Sequence, residues 1–109
     1  MKPDAVLRPE FIYQFKQPAV YVWRRGSNIL YVGMSIKSVL HRISTHDTVD
    51  VVEPLQQDDA VEVHFCDSAT DARELEGFLL VKHSPKYNSV SPQAHGYANR
   101  WQARKNHNN

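Results

Sequence analysis

The sequence predicts an α+β domain in which a small three-stranded antiparallel sheet is flanked by helices. Two observations support this fold class: short stretches of β-forming residues lie on either side of a turn, and later apolar residues recur at helical spacing. A chain of 109 residues, of which 41% are hydrophobic, is long enough for one core and too short for two. We therefore expect a single α+β domain.

The first two strands are predicted to form a hairpin. Residues 17–23 and residues 29–33 are rich in β-forming residues, whose successive side chains would lie on opposite faces of a strand. The polar stretch 24–28 between them, with one glycine, is typical of a hairpin loop. On the second strand, Leu30 and Val32 are expected to share one face.

Two tyrosines are expected to meet on this hairpin. A symmetric hairpin that pairs Trp23 with Ile29 also pairs Tyr21 with Tyr31. Directly opposed residues of antiparallel strands share a face, so the two phenols should lie side by side.

A third strand and two helices are predicted further along the chain. Residues 61–66 alternate as a strand. One helix is expected to begin with Ser35 as its N-cap, and a second to run from a Ser68 cap to Pro85. The buried face of the second helix is expected to comprise apolar residues at helical spacing: Ala72, Leu75, Phe78 and Leu79.

Three parts of the chain are distinguished by composition. Residues 1–16 are expected to form an N-terminal extension that packs on the module, and residues 17–88 the module itself. Residues 89–109 are expected to form a polar, partly disordered tail with a helical turn near residues 99–105.

The charged residues are unevenly distributed along the chain. Ten of the twelve acids and only one base lie between Asp47 and Glu76, so the rest of the chain is strongly basic although the net charge is +1. Such asymmetry permits a basic face for an anionic partner, and equally an ordinary solvated surface.

Cys66 is the single cysteine, is expected to be buried or half-buried, and suits a reducing cytoplasm. No stretch predicts a signal peptide or membrane span, and no histidine spacing with Cys66 predicts zinc.

Five elements in order then resemble the GIY-YIG nuclease family: residues 19–21 (Ala-Val-Tyr), 31–33 (Tyr-Val-Gly), Arg42, Glu76 and residues 85–88 (Pro-Lys-Tyr-Asn). The resemblance covers roughly residues 17–88. It implies a GIY-YIG-like nuclease module that hydrolyses DNA phosphodiester bonds with Mg²⁺ or Mn²⁺.

The resemblance also implies a role for each matched residue. Glu76 would hold the metal, since a carboxylate is a hard oxygen ligand, and Arg42 would stabilise charge on the phosphate. Tyr21 would orient or deprotonate the attacking water, with Tyr31 or His46 as a hydrogen-bond partner or alternative base. A phenol needs a nearby cation or metal for this task, because its ordinary pKa is about 10.

Further residues are expected to support the site or to contact DNA. Gly33, Lys37 and Asn88 are the supporting residues, and Asn88 is expected to tie the end of the second helix back to the site. The predicted DNA contacts are cations and one aromatic residue, for which plain solvation or packing is the alternative: Arg24, Arg25, Lys82, Lys86, Arg100, Trp101 and Arg104.

Two departures from the family pattern leave a second hypothesis open. Ala19 replaces the first glycine of the family, and Met34 stands where many members have lysine. The leading hypothesis is an active endonuclease with low or structure-directed specificity, or with specificity supplied by a partner protein. The alternative is a catalytically weak or inactive module of the same fold that binds nucleic acid or a partner. An unrelated interaction domain would require the five-part match to be a coincidence.

Overall fold

The computed structural model describes residues 1–8, 17–35 and 56–107. Lys37, Arg42, His46 and the first predicted helix therefore lie outside the described residues. The described elements, in chain order, are β1 (Ala5–Leu7), β2 (Ala19–Arg25), β3 (Asn28–Ser35), β4 (Asp59–Phe65), α1 (Ala69–His83) and α2 (Pro92–His107).

The four strands form one antiparallel sheet in the order β1-β4-β2-β3. The predicted α+β class is confirmed, but the sheet has one strand more than the sequence predicted. The additional strand is β1, which pairs with β4 with Ala5 opposite Val63. Three residues are too few for a recognisable alternation, so sequence patterning did not reveal this strand.

The predicted pairing of the β2–β3 hairpin was wrong by two residues. Its turn contains only Gly26 and Ser27, and Gly26 has a φ of 60°, which a glycine adopts without strain. The predicted loop of residues 24–28 was therefore too long. Tyr21 pairs with Gly33 rather than with Tyr31. The two tyrosines still share a face, because a shift of two residues preserves side-chain direction.

A β-bulge corrects a second detail of the hairpin. Trp23 pairs with Tyr31 and Arg24 with Ile29, which leaves Leu30 as the extra residue. Leu30 consequently joins the cluster that contains Tyr31, whereas Ile29 packs against the opposite cluster. The expectation that Leu30 shares a face with Val32 was wrong, because a bulge reverses the alternation.

The sheet separates two apolar clusters. What we call the tyrosine face carries the buried residues Ala19, Tyr21, Trp23, Leu30, Tyr31, Val61 and Val63. What we call the helix face carries the strand residues Val20, Val22 and Val32, packed with Cys66 and with Ala72, Leu75 and Leu79 of α1. The expected alternation of β4 and the expected buried face of α1 are both confirmed.

Helix α1 begins and ends where the sequence predicted. The side chain of Ser68 accepts a hydrogen bond from the backbone N–H of Asp71 (3.1 Å), which caps the first turn. At the other end Ser84 has a left-handed backbone and donates its N–H to the Leu80 carbonyl (2.9 Å). Pro85 follows directly and prevents continuation of the helix.

Helix α2 is longer than the helical turn predicted near residues 99–105. It packs against α1 at Gly77, where an added Cβ would lie 2.6 Å from Tyr97 Cβ and 2.8 Å from the Ala94 carbonyl oxygen. Ala94 and Ala98 are buried at this crossing. Small residues on both helices allow the close approach. In the described part of the chain, no helix has the length and apolar character needed to cross a membrane.

Candidate active site

Tyr21 and Tyr31 form a stacked pair on the tyrosine face. Their ring centroids are 6.2 Å apart and the ring planes differ by 21°. Tyr21 is fully buried and Tyr31 is 9% exposed. Tyr21 lies across its pairing partner Gly33, where an added Cβ would contact the phenol oxygen and would stand 2.5 Å from Cζ. The absence of a side chain at Gly33 therefore creates the space that the Tyr21 ring occupies.

Asn88 and Tyr87 fix the chain to the open edge of β3. The Asn88 side chain accepts a hydrogen bond from the Val32 N–H (2.8 Å) and donates one to the Val32 carbonyl (3.0 Å). The Tyr87 N–H donates to the carbonyl of the bulged Leu30 (2.9 Å). These three bonds replace those of a neighbouring strand. They secure the edge strand that carries Tyr31.

Glu76 lies at the margin of the packed side of α1. Residues four apart share a side of a helix, so Glu76 lies between Ala72, which is fully buried, and Leu80, which packs against the edge of the helix-face cluster. Glu76 is accordingly half-buried. Against the sheet, helix α1 packs mainly on β3 and also on β2, the strands that carry the two tyrosines.

Comparison with known proteins agrees with this arrangement. The crystal structure of the GIY-YIG N-terminal endonuclease domain of UvrC from Thermotoga maritima, with magnesium bound, matches with a TM-score of 0.56. The match covers 75% of this chain and 92% of that domain, at 21% sequence identity. The chain has the GIY-YIG fold. The resemblance predicted from the five sequence elements is thus confirmed at the level of fold.

The sequence comparison points in the same direction. UvrABC system protein C of Thermosipho africanus is 27% identical over 85 residues. These residues make up 75% of this chain but only 15% of the relative, so the chain spans a small part of that protein's length. No family model matches the chain.

Met34, the main departure in the GIY-YIG module, packs against the helix-face cluster. It follows Gly33 directly, and successive residues of a strand point to opposite faces. A side chain at position 34 therefore starts on the side of the sheet opposite Tyr21 and Tyr31.

The two hairpin arginines form ion pairs within the module. Arg24 Nε lies 2.8 Å from Glu62 Oε2. Arg25 binds the buried Asp59 with two hydrogen bonds, Nε to Oδ1 (2.6 Å) and Nη2 to Oδ2 (3.0 Å). Burial raises the pKa of Asp59, but the bonds from Arg25 and from the Gln56 N–H outweigh it and hold the pKa below its usual value. Arg25 thus neutralises a buried carboxylate, and its contact with DNA stays a prediction.

The predicted contacts of α2 divide into two kinds. Arg104 is an ion-pair partner of α1, with Nη1 2.5 Å from Asp71 and Nη2 2.6 Å from Glu74. Trp101 packs against the helix-face cluster and forms a tilted pair with Phe78, at 6.1 Å between ring centroids.

The remaining predicted cations each lie over an aromatic ring. The distances from cation to ring centroid are 5.9 Å for Lys82 and Phe78, 5.2 Å for Lys86 and Tyr87, and 5.3 Å for Arg100 and Tyr97. Lys82 and Lys86 also line an open groove beside the hairpin turn. The predicted contacts of Lys82, Lys86 and Arg100 with DNA stay predictions.

The burial of several polar residues, among them Asp59 and His64, was not anticipated from the sequence. Asp59 and His64 lie on β4, and their burial depends on the register between β2 and β4, for which no local motif exists. Burial lowers the pKa of His64, although Glu62 and Asp4 act in the opposite direction.

Cys66 follows the same strand and its thiol donates to the His64 carbonyl (3.7 Å). Burial, followed by the negative charge of Asp71, raises the pKa of this thiol to about 11. The thiol is protonated at neutral pH and is therefore a poor nucleophile.

Proposed function

We propose that this chain is a divalent-metal-dependent endonuclease that hydrolyses DNA phosphodiester bonds. The observation that carries the proposal is the stacked Tyr21–Tyr31 pair seated on Gly33 within a GIY-YIG fold. The solved neighbour of the same fold is described as an endonuclease domain with magnesium as its catalytic cation. The sequence elements, the fold and the local geometry support one activity.

The donor set of the module fits a metal held by few protein ligands. In the ranges 1–8, 17–35 and 56–107, no three His, Cys, Asp or Glu side chains form a group that could hold an ion. A single half-buried carboxylate, Glu76, suits Mg²⁺ or Mn²⁺, which keep several oxygen ligands from water and phosphate. When bound there, the metal would neutralise phosphate charge and stabilise the leaving oxygen.

The residues of the chain would share the remaining tasks. Tyr21, as a phenolate stabilised by a nearby cation or metal, would orient the attacking water and accept its proton to become the neutral phenol. Tyr31 would hold the Tyr21 ring by stacking and is the alternative base. Arg42 would bind nonbridging phosphate oxygens, with His46 as a helper beside it on the predicted helix. Asn88 would keep β3, and with it Tyr31, in position through the Val32 backbone.

We further propose low or structure-directed specificity, with a partner protein as another source of selectivity. In the described residues, Lys82, Arg100 and Lys105 lie over aromatic rings, an arrangement that suits phosphate and stacking contacts rather than the reading of base edges. A single cysteine, which cannot form a disulfide within the chain, agrees with a role in a reducing cytoplasm, where the DNA substrate would be found.

Nicking of supercoiled plasmid in Mg²⁺ or Mn²⁺ tests this activity. The wild-type chain should convert supercoiled DNA to the relaxed form, and EDTA should prevent it. Glu76→Gln should abolish nicking, whereas Asp67→Asn, which removes an exposed carboxylate just before α1, should leave it unchanged. Nicking that survives Glu76→Gln would contradict the assigned metal ligand.

Tyr21→Phe tests the tyrosine assignment in the same assay. It keeps the ring that packs on Gly33 and removes only the hydroxyl, so folding should persist. The nicking rate should fall by about 100-fold or more, the usual contribution of a positioned acid or base. A rate within about twofold of wild type would exclude Tyr21 as the base and would direct attention to Tyr31 and His46.

The second candidate function is a binding module of the same fold without turnover. Met34 favours it, since many family members have a cation there. Met34 packs on the helix face, opposite the tyrosines but on the side where α1 and Glu76 lie, so its orientation does not decide between the two functions. Tight DNA binding without cleavage of plasmid, branched or single-stranded DNA would support the binding module instead.

A further inference from the structure

An aromatic surface flanked by cations lies between α1 and α2. Phe78 and Trp101 form its floor. Lys105 Nζ lies 4.4 Å from the centroid of the Trp101 ring, and Lys82 Nζ lies 5.9 Å from the centroid of the Phe78 ring. A groove of about 350 Å³ opens here. Its lining residues include no carboxylate: Met1, Phe78, Lys82, Trp101, Gln102 and Lys105. We call this feature the aromatic–cation groove.

The charged residues that line the aromatic–cation groove are all positive, whereas Asp67 and Asp71 line a neighbouring pocket that shares Trp101 and Lys105 with it. No Asp or Glu follows Glu76 in the sequence, whereas five lysines and arginines do. Lys105 and, five residues before it on α2, Arg100 are exposed. Arg104 differs from them because it is committed to Asp71 and Glu74. The groove therefore combines ring faces with cations whose partners are rings rather than acids.

The groove lies on the side of the sheet opposite the tyrosines. Phe78 and Trp101 pack against the helix-face cluster, whereas Tyr21 and Tyr31 belong to the tyrosine face. A nucleic-acid segment in the groove cannot be the same few nucleotides that the tyrosines contact. It must be another part of the substrate that passes around the module.

We propose that the aromatic–cation groove binds an unpaired single-stranded arm of the DNA substrate. A base would stack on the exposed part of Trp101, while Lys82 and Lys105 would hold the adjacent phosphates. The interior of duplex DNA cannot offer this contact, because its base faces are already stacked on one another. The inference rests on the proposed nuclease function and deepens it: the preferred substrate is a duplex that carries a single-stranded arm.

Tryptophan fluorescence tests the groove directly, without any cleavage. The chain has two tryptophans, and Trp23 is buried with 2% exposure, so quenching by an added oligonucleotide reports on Trp101. Titration of the full chain with a twelve-residue oligothymidylate in EDTA should quench the emission. Trp101→Phe should remove the quenching. Because EDTA excludes metal-dependent cleavage, this result is independent of whether the chain is a nuclease.

Charge variants supply the matched control. Lys105→Ala should weaken oligothymidylate binding about tenfold, and Lys82→Ala should act in the same direction. Arg73→Ala, which removes an exposed cation elsewhere on α1, should change the affinity by less than twofold. Equal weakening by Arg73→Ala and Lys105→Ala, absence of quenching, or equal quenching by polyglutamate or by a blunt duplex would each overturn the proposal.

Cleavage assays connect the groove to substrate choice. Wild-type chain should cut a duplex with a single-stranded arm at least several-fold faster than the blunt duplex of the same sequence. Lys105→Ala should remove this preference by slowing the cutting of the duplex with the arm, and Arg73→Ala should leave both rates unchanged. Equal cutting of both substrates by the wild type would overturn the assignment, while lack of any cleavage alongside oligothymidylate quenching would refute the nuclease function alone.

Discussion

At the scale of single residues, the packing of the tyrosine pair depends on the absence of a side chain at Gly33. Gly33→Ala would place a methyl group 2.5 Å from Tyr21 Cζ and 2.9 Å from Cε2, so the ring must move. We expect a loss of about 1–3 kcal/mol in the free energy of unfolding, the usual range for an overpacked core. Urea denaturation measures it.

A double variant checks the cause of that loss. If the clash with Tyr21 is responsible, Gly33→Ala should cost much less when Tyr21 has already been replaced by valine. Equal costs in the two backgrounds would show that the methyl group conflicts with something other than the phenol ring.

His64 gives a prediction about pH. Burial holds its pKa below the ordinary value of 6.5, with Glu62, Asp4 and the chain N-terminus as the nearby charges. The unfolded chain therefore binds a proton near pH 6.5 that the folded chain does not, and stability must fall as the pH is lowered below that value. The slope contributed by one histidine is at most about 1.4 kcal/mol per pH unit.

Urea denaturation between pH 7 and pH 5 measures this slope. The pKa of His83 is lowered by burial and by Lys82, so it adds to the fall in the same direction. His64→Gln should reduce the slope, and His95→Gln, at an exposed position of α2, should not. An unchanged slope in His64→Gln would show that another group accounts for the acid sensitivity.

The hairpin shows which contacts of a single residue can be predicted from the sequence. Alternation placed Tyr21 and Tyr31 on one face, because side-chain direction depends only on the parity of the spacing. It could not pair Tyr21 with Gly33, since the register depends on the length of the turn and on the bulge at Leu30. The contact that shapes the candidate site therefore required the structure.

At the scale of elements, the Pro-Lys-Tyr-Asn segment acts as a substitute strand at the edge of β3. Asn88→Ala would remove both side-chain bonds to Val32 and leave its N–H and carbonyl without those partners. We expect a loss of about 1–3 kcal/mol in the free energy of unfolding. Hydrogen exchange of the Val32 amide should accelerate in this variant, whereas the exposed Asn99→Ala in α2 should change neither measurement.

The crossing of α1 and α2 at Gly77 is equally specific. Gly77→Ala would press a methyl group against Tyr97 Cβ and the Ala94 carbonyl, so α2 must shift and stability should fall by about 1–3 kcal/mol. Gly96→Ala is a matched helical control, because nothing lies within 4 Å of its added Cβ. It should raise stability by roughly 0.5–1 kcal/mol. Similar effects of the two variants on the urea midpoint would contradict this view of the crossing.

Elements differed in how far the sequence predicted them. Helix α1 has a serine cap, an apolar stripe and a following proline, and both of its ends were predicted. Helix α2 has a mostly polar sequence, and its buried apolar residues are the small Ala94 and Ala98. Its contact with Gly77 is a tertiary interaction that no periodicity in α2 alone displays.

At the scale of the whole molecule, the uneven charge of the sequence has a partial structural explanation. Several acids of the segment from Asp47 to Glu76 pair with arginines from outside it: Glu62 with Arg24, Asp59 with Arg25, and Asp71 and Glu74 with Arg104. These arginines are occupied within the fold. The cations left for an anionic partner in the described C-terminal half are those that lie over rings, including Lys82, Arg100 and Lys105.

Arg100 and Arg104 lie on the same helix, but replacing them should affect stability and DNA binding in opposite ways. Arg100 is exposed over Tyr97, so Arg100→Ala should leave the urea midpoint nearly unchanged and weaken DNA binding. If Arg100 neutralises one phosphate, the slope of log affinity against log salt should become shallower by about 0.9. Arg104→Ala removes the partner of Glu74, which is only 7% exposed, and should lower stability with little change in that slope. Fluorescence anisotropy with labelled DNA at several salt concentrations, in EDTA, provides the slopes. A shallower slope in Arg104→Ala than in Arg100→Ala would show that Arg104 exchanges its acidic partners for phosphate when DNA binds.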